Sequence, residues 1–169
     1  AANYAQAYQR WRSGNPTAAT TLNTSSVTTT VLQAQALNDL NRYTEAEQRL
    51  QSFAGQVSTN AALNLVLAES QLGQNKTALA MQTLSKLRLT ETTGLEFFEA
   101  AQRLAQQANQ PAEASFYHAS RSLRLGEYKH AVATAEQALK LPNSQATTLR
   151  NLRKLLNEAE RQALNTAQP

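Results

Sequence analysis

The chain has 169 residues, no cysteine, and a formal net charge of +4 from 16 basic and 12 acidic residues. This composition excludes disulfides and thiolate metal sites and fits an oxidising compartment. The charges are dispersed, so nucleic-acid binding is not expected, and no apolar run reaches the ~20 residues of a transmembrane helix. Ala and Leu supply most of the apolar side chains, which predicts closely packed helices and an all-α fold.

The apolar spacing predicts about ten helices in chain order. Their expected ranges are about 2–13, 16–22, 27–40, 43–56, 60–72, 75–87, 95–108, 111–124, 128–141 and 144–165. The third begins with Val-Thr-Thr-Thr-Val, which alone would favour a strand, after an expected loop and capping region at Asn23–Ser26. In the sixth helix we expect Ala78, Met81 and Leu84 to face inward. Asn143 or Ser144 is expected to cap the last helix.

A turn motif recurs five times along the chain. Each copy has Gly or Asn, then Tyr, Pro or Asn two residues later, and Ala five residues later; the Gly or Asn positions are Gly14, Asn41, Gly73, Asn109 and Gly126. Their spacings are 27, 32, 36 and 17 residues, against about 34 for a tetratricopeptide repeat. The interval of 17 is half a repeat, so the helix at 111–124 should belong to two hairpins. The prediction is a single tetratricopeptide-like α-solenoid over residues 1–169.

The last helix carries a narrow apolar stripe. Its members are Leu149, Leu152, Leu156, Ala159 and Ala163, at spacings of three and four residues. A terminal helix with one polar face is typical of the cap that closes a repeat array. Docking of a partner helix on the same stripe is the alternative.

No catalytic or metal-binding constellation stands out. Glu127 and His130 share a helix face, but a metal needs three or four donors and none cluster near them; His118 is expected to be an ordinary packed or surface residue. Glu99 is expected to pair with Arg103 one turn later. We therefore expect no enzyme activity, no metal and no cofactor in this chain by itself.

Binding surfaces are the stronger expectation, because the first helix of each stacked hairpin lines a groove. Counting back from the turns gives these groove candidates: Val31, Gln35, Asn38, Asn60, Leu63, Leu67, Glu96, Glu99, Arg103, Phe116, Ser120 and Arg124. The Lys, Asn and Arg set with which some tetratricopeptide domains grip a peptide carboxylate is not found at the matching positions. Those positions carry Thr28, Val31 and Gln35, or Asn60, Leu63 and Leu67.

Two segments and the closing helix resemble one family beyond the generic repeat. They are Leu65–Arg88, Ala112–Ala131 and Leu149–Arg161, within about the last two-thirds of the chain. The family is that of the periplasmic β-barrel assembly-enhancing proteases of Gram-negative bacteria, in which a zinc metalloprotease domain precedes a tetratricopeptide domain.

The resemblance implies a non-catalytic interaction domain in the periplasm. The parent protein would be a zinc metalloendopeptidase and chaperone, with its zinc ligands and catalytic Glu outside this sequence, which starts at Ala1 without an initiator Met and is expected to be a mature chain or an excised domain. Implied partners are groove-bound proteins or peptides, the protease domain, and components of outer-membrane protein assembly and quality control. The alternative is a stand-alone periplasmic scaffold or lipoprotein-type adaptor for cell-envelope or pilus assembly.

Overall fold

The computed structural model describes residues 2–22, 26–142 and 144–166, and these contain helices and no strand. The predicted all-α class is therefore confirmed. The α-helices are α1 (Ala2–Arg12), α2 (Thr17–Thr20), α3 (Val27–Asp39), α4 (Tyr43–Leu50), α5 (Ala61–Gly73), α6 (Thr77–Lys86), α7 (Leu95–Gln107), α8 (Pro111–Arg124), α9 (Tyr128–Leu139) and α10 (Ala146–Thr166). A 3₁₀ helix at Gln51–Gln56 replaces the end of the predicted fourth helix. The predicted loop residues 23–25 and the predicted cap Asn143 lie outside the described residues.

Side-chain caps fix the start of two helices. The Ser26 Oγ accepts a hydrogen bond from the Thr29 backbone N–H at 3.2 Å, and the Asn60 Oδ1 accepts one from the Leu63 N–H at 3.0 Å. Each cap satisfies a backbone donor that a helix leaves without an internal partner. In α3 the cap and the buried face that follows override the strand propensity of the β-branched opening.

The helical hairpins share one turn geometry. A residue with positive φ follows the first helix in each, at Gly14, Asn41, Asn75, Asn109 and Gly126. The next residue donates its N–H to the carbonyl five positions earlier, as in Asn15 to Arg10, Arg42 to Leu37, Lys76 to Gln71, Gln110 to Ala105 and Glu127 to Ser122. This is the Schellman closure of a helix, which favours Gly or Asn at the left-handed position.

The predicted turn at Gly73 is therefore wrong by two residues. Gly73 is the last residue of α5, and the left-handed residue is Asn75. With Asn75 as the turn, residues 41, 75 and 109 are spaced 34 apart, and the inward alanine is Ala80 rather than the exposed Ala78. Gly73 has a different role, because a Cβ there would overlap the Tyr43 ring.

The described helices pack into two compact units, Ala1–Glu91 and Thr92–Pro169; a single domain over 1–169 stays a prediction. In unit 1, α3 packs against α4 and α5 around a core that includes Leu37, Leu50 and Leu63. A second cluster joins α2 and α3 through Ala19, Leu32 and Ala36, with the α1 aromatics packed against it. Polar bonds add to this packing, since the buried Asn64 Nδ2 donates to the carbonyls of Val57 and Thr83.

In unit 2, α8 is the central helix. It packs against α7, α9 and α10, so the prediction that it serves two hairpins is confirmed. Phe97, Phe98 and Tyr117 form edge-to-face aromatic contacts between α7 and α8. On the other side, the stripe of α10 contributes Leu152 and Leu155 to a core with Ala119 of α8 and Ala135 of α9. Unit 2 uses this stripe internally.

Candidate functional site

Unit 1 leaves one face of its first helices open. In α3 the incompletely buried stripe is Thr28, Val31 and Gln35, spaced by three and four residues, while most other α3 residues are buried. Adding 34 gives Ala62, Leu65 and Glu69 in α5, and these also keep solvent exposure. Helices α3 and α5 contact each other. We call these six residues the α3–α5 face.

A polar cluster joins the two helices at this face. The Gln35 Nε2 donates to the Glu69 Oε2 at 2.9 Å, and the Asn38 Nδ2 donates to the same oxygen at 3.2 Å. Asn38 is 4% exposed and is held in turn by the Ser70 hydroxyl at 2.9 Å. Asn38 thus positions the Glu69 carboxylate rather than offering its own side chain to a ligand. Within the described chain, no hydrogen bond is made to the other carboxylate oxygen, Oε1.

The groove residues predicted in α5 lie two positions from the open stripe. Leu63 is fully buried in the core, Leu67 packs against that core, and Asn60 caps the helix. The error follows from the Gly73 turn, because counting back from Asn75 gives Ala62, Leu65 and Glu69 instead. The missed residues could have been found by requiring a constant interval of 34 residues between turns.

In unit 2, the α7 residues Glu96, Glu99 and Arg103 are exposed, as predicted for a first helix. The expected pairing of Glu99 with Arg103 is wrong, because Arg121 of α8 donates to the Glu99 carboxylate at 2.9 Å. Arg124 places its guanidinium 5.8 Å from the centre of the Phe98 ring, within the range of a cation–π contact.

The predicted α8 positions Phe116 and Ser120 are covered within unit 2. Ser120 is 7% exposed and its hydroxyl donates to the Phe116 carbonyl, while Phe116 packs against the core that α10 completes. Thr148 of α10 also donates to the buried Glu113 carboxylate of α8 at 2.8 Å. The predicted groove positions of α8 are therefore occupied by a helix of the same chain.

Two ionisable groups report how the units are held together. In unit 1, burial raises the pKa of Glu47, but hydrogen bonds from Lys76, Gln74 and Gln71 outweigh it and bring the pKa below its ordinary value. In unit 2, burial, with the nearby Glu113 charge, raises the pKa of Tyr117. Neither group belongs to the α3–α5 face, so both shifts reflect structure rather than an active site.

The described part of the chain holds no group of three or more His, Asp or Glu side chains placed to bind a metal ion. None of its helices combines the length and apolarity that a membrane crossing requires. No protein-family model and no curated protein sequence matches the chain. The argument for function therefore rests on the geometry of the faces described above.

Proposed function

We propose that this chain is a tetratricopeptide-like protein-interaction domain that holds an extended polypeptide segment on the α3–α5 face. The observation that supports this most is the return of the same open stripe after 34 residues, behind turns of one geometry. A constant repeat of this length is typical of tetratricopeptide arrays, whose first helices line the binding surface. Conserving that stripe as incompletely buried in both helices leaves it available to a ligand.

The chemistry of the face suits an extended chain. Val31 and Leu65 present apolar surface that is only partly covered, beside the polar pair Gln35 and Glu69. An extended segment has unpaired backbone N–H groups, which the Glu69 Oε1 can accept, and alternating side chains that can reach the apolar positions. Strands of unfolded outer-membrane β-barrels alternate apolar and polar residues in this way.

The specific version of the proposal follows the family resemblance. In it, the chain is the non-catalytic repeat domain of a periplasmic metalloprotease and chaperone that acts in outer-membrane protein assembly. The sharing of α8 between two hairpins is the structural feature that supports this version, because the resembling segments include that doubled helix.

Binding can be tested with an unfolded outer-membrane β-barrel protein, diluted from urea and followed by fluorescence anisotropy. The double variant Gln35→Arg, Ala62→Arg should weaken binding about tenfold, a loss of about 1.4 kcal/mol, because it places bulk and charge on the α3–α5 face. Gln48→Arg on the exposed side of α4 is the matched control and should bind as the original chain does. Equal binding by all three proteins would contradict the proposal.

The specific version has its own test. The purified domain should capture outer-membrane assembly components from a periplasmic extract, whereas capture of cytoplasmic proteins alone would count against it. An HExxH motif upstream of Ala1 in the parent gene supports the protease-associated version. A lipobox there supports the scaffold alternative instead.

A further inference from the structure

The chain has two histidines, and the structure brings them together. His118 on α8 and His130 on α9 place their Nε2 atoms 3.0 Å apart, with the ring centres separated by 5.2 Å. Their sequence separation of 12 residues gave no sign of this, because it depends on how α9 folds back along α8. Imidazole is a preferred ligand of Zn²⁺, Cu²⁺ and Ni²⁺.

The separation of the two nitrogens matches a chelating pair. With metal–nitrogen bonds of ~2.0–2.1 Å, two ligands at a right angle lie roughly 2.8–3.0 Å apart, and two at the tetrahedral angle roughly 3.3–3.4 Å apart. The 3.0 Å separation fits adjacent positions of a tetragonal site, the geometry that Cu²⁺ and Ni²⁺ favour. We propose that His118 and His130 form a two-imidazole site for a divalent late transition metal, with Cu²⁺ bound most tightly.

The surroundings supply further support for a metal. The His118 Nδ1 lies 3.4 Å from the Gln102 Nε2. When a metal takes the Nε2 atom of His118, the ring proton resides on Nδ1, and a half-turn of the Gln102 amide presents its oxygen as the acceptor. Such a bond to the far nitrogen of a ligating imidazole orients the ring and raises its basicity.

The other side of the pair is open. His130 borders a cavity of about 400 Å³ whose lining includes Glu127 and Lys129. Since the described residues offer no third His, Asp or Glu in a ready-made cluster with this pair, water would complete the coordination shell. The site would accordingly bind metal reversibly and join α8 to α9, unlike a closed structural zinc site.

The test uses the full chain without a polyhistidine tag, stripped of metal by chelator and titrated calorimetrically with Cu²⁺, Ni²⁺, Zn²⁺ and Mg²⁺. One Cu²⁺ should bind per chain, ahead of Ni²⁺ and Zn²⁺, with no binding of Mg²⁺. Electron paramagnetic resonance of the Cu²⁺ complex should show two imidazole nitrogens. Since even a residue behind a ligand is worth about 10–100-fold in affinity, His118→Gln and His130→Gln should each weaken binding by at least tenfold.

Lys129→Gln, beside His130 on the same exposed stretch of α9, is the matched control and should retain the two-nitrogen spectrum. Circular dichroism establishes that the variants fold. Tight Cu²⁺ binding that survives both histidine substitutions, or a spectrum with a single imidazole nitrogen, would overturn the proposal.

Discussion

The two units use the same helical hairpin but differ in what they leave open. In unit 1 the turns at 41 and 75 fall one full repeat apart, and the first helices α3 and α5 keep matching exposed stripes. In unit 2 the turns at 109 and 126 are only 17 residues apart, so α8 must serve as second helix of one hairpin and first helix of the next. The contrast shows that spacing between turns, more than the turn itself, decides whether a first-helix face stays available.

The units also differ in how their helices are tied together. Unit 1 has a hydrogen-bonded network in which the Glu47 carboxylate accepts from Gln74 and Lys76 at 2.8 and 2.7 Å, linking α4 to the end of α5 and the turn after it. Unit 2 depends on aromatic contacts between α7 and α8 and on the apolar stripe of α10. Each difference can be tested separately.

The largest expected effect comes from truncating the two cores. Leu63→Ala in unit 1 and Leu152→Ala in unit 2 each remove a fully buried side chain, and each should lower the free energy of unfolding by about 2–5 kcal/mol. Only Leu152→Ala should also loosen α10 from α8, seen as faster amide exchange in α10. Urea unfolding gives the stabilities, and Leu164→Ala, at a 68% exposed position, should change them by less than about 0.5 kcal/mol.

A smaller effect tests the corrected turn. Asn75→Ala should destabilise the chain by about 1–2 kcal/mol, because alanine pays the full steric cost of a left-handed backbone, whereas Asn75→Gly should be close to neutral. Urea unfolding of both variants measures the difference. If alanine and glycine at this position prove equally stable, the left-handed turn is not at Asn75.

The smallest effect is a difference in pH dependence. The lowered pKa of Glu47 means that its contribution to stability is present above its ordinary value and is lost as the pH falls through its folded value, so Glu47→Gln should flatten the loss in acid below about pH 4.3. The raised pKa of Tyr117 has the opposite sign. Its contribution is complete below about pH 10 and is lost above it, so Tyr117→Phe should flatten the alkaline loss.

Urea unfolding from pH 3 to 11, within the range about the ordinary pKa values of these groups, measures both limbs. Each variant should change one limb and leave the other as it is in the original chain. Variants that change both limbs, or neither, would mean that these two residues do not distinguish the units in the way described.

Much of the fold follows from the sequence because helix periodicity and turn chemistry are local. The Asn and Gly turns, the Ser26 and Asn60 caps and the double use of α8 are all visible in the residue order. The Gly73 turn failed because two glycine- and asparagine-bearing positions, 73 and 75, lie side by side with alanines at 78 and 80. Local pattern could not separate them, and the choice depends on Tyr43, which packs over Gly73 from α4.

The candidate site was less accessible to sequence reasoning because it depends on contacts between helices. Gln35 was identified, but its partner Glu69 was missed with the shifted turn. The covering of Ser120 by α10 and the pairing of Glu99 with Arg121 also depend on distant segments. The same holds for the meeting of His118 with His130.

The central claim is that the α3–α5 face of unit 1 receives a polypeptide. Site-specific photo-crosslinking tests it most directly, with the photoreactive residue placed at Gln35 or Ala62 on the face and at Gln48 or Gln82 on exposed sides of α4 and α6. With an unfolded outer-membrane β-barrel protein as probe, positions 35 and 62 should crosslink and positions 48 and 82 should not. Equal crosslinking at all four positions, or crosslinking at 48 and 82 alone, would contradict the account.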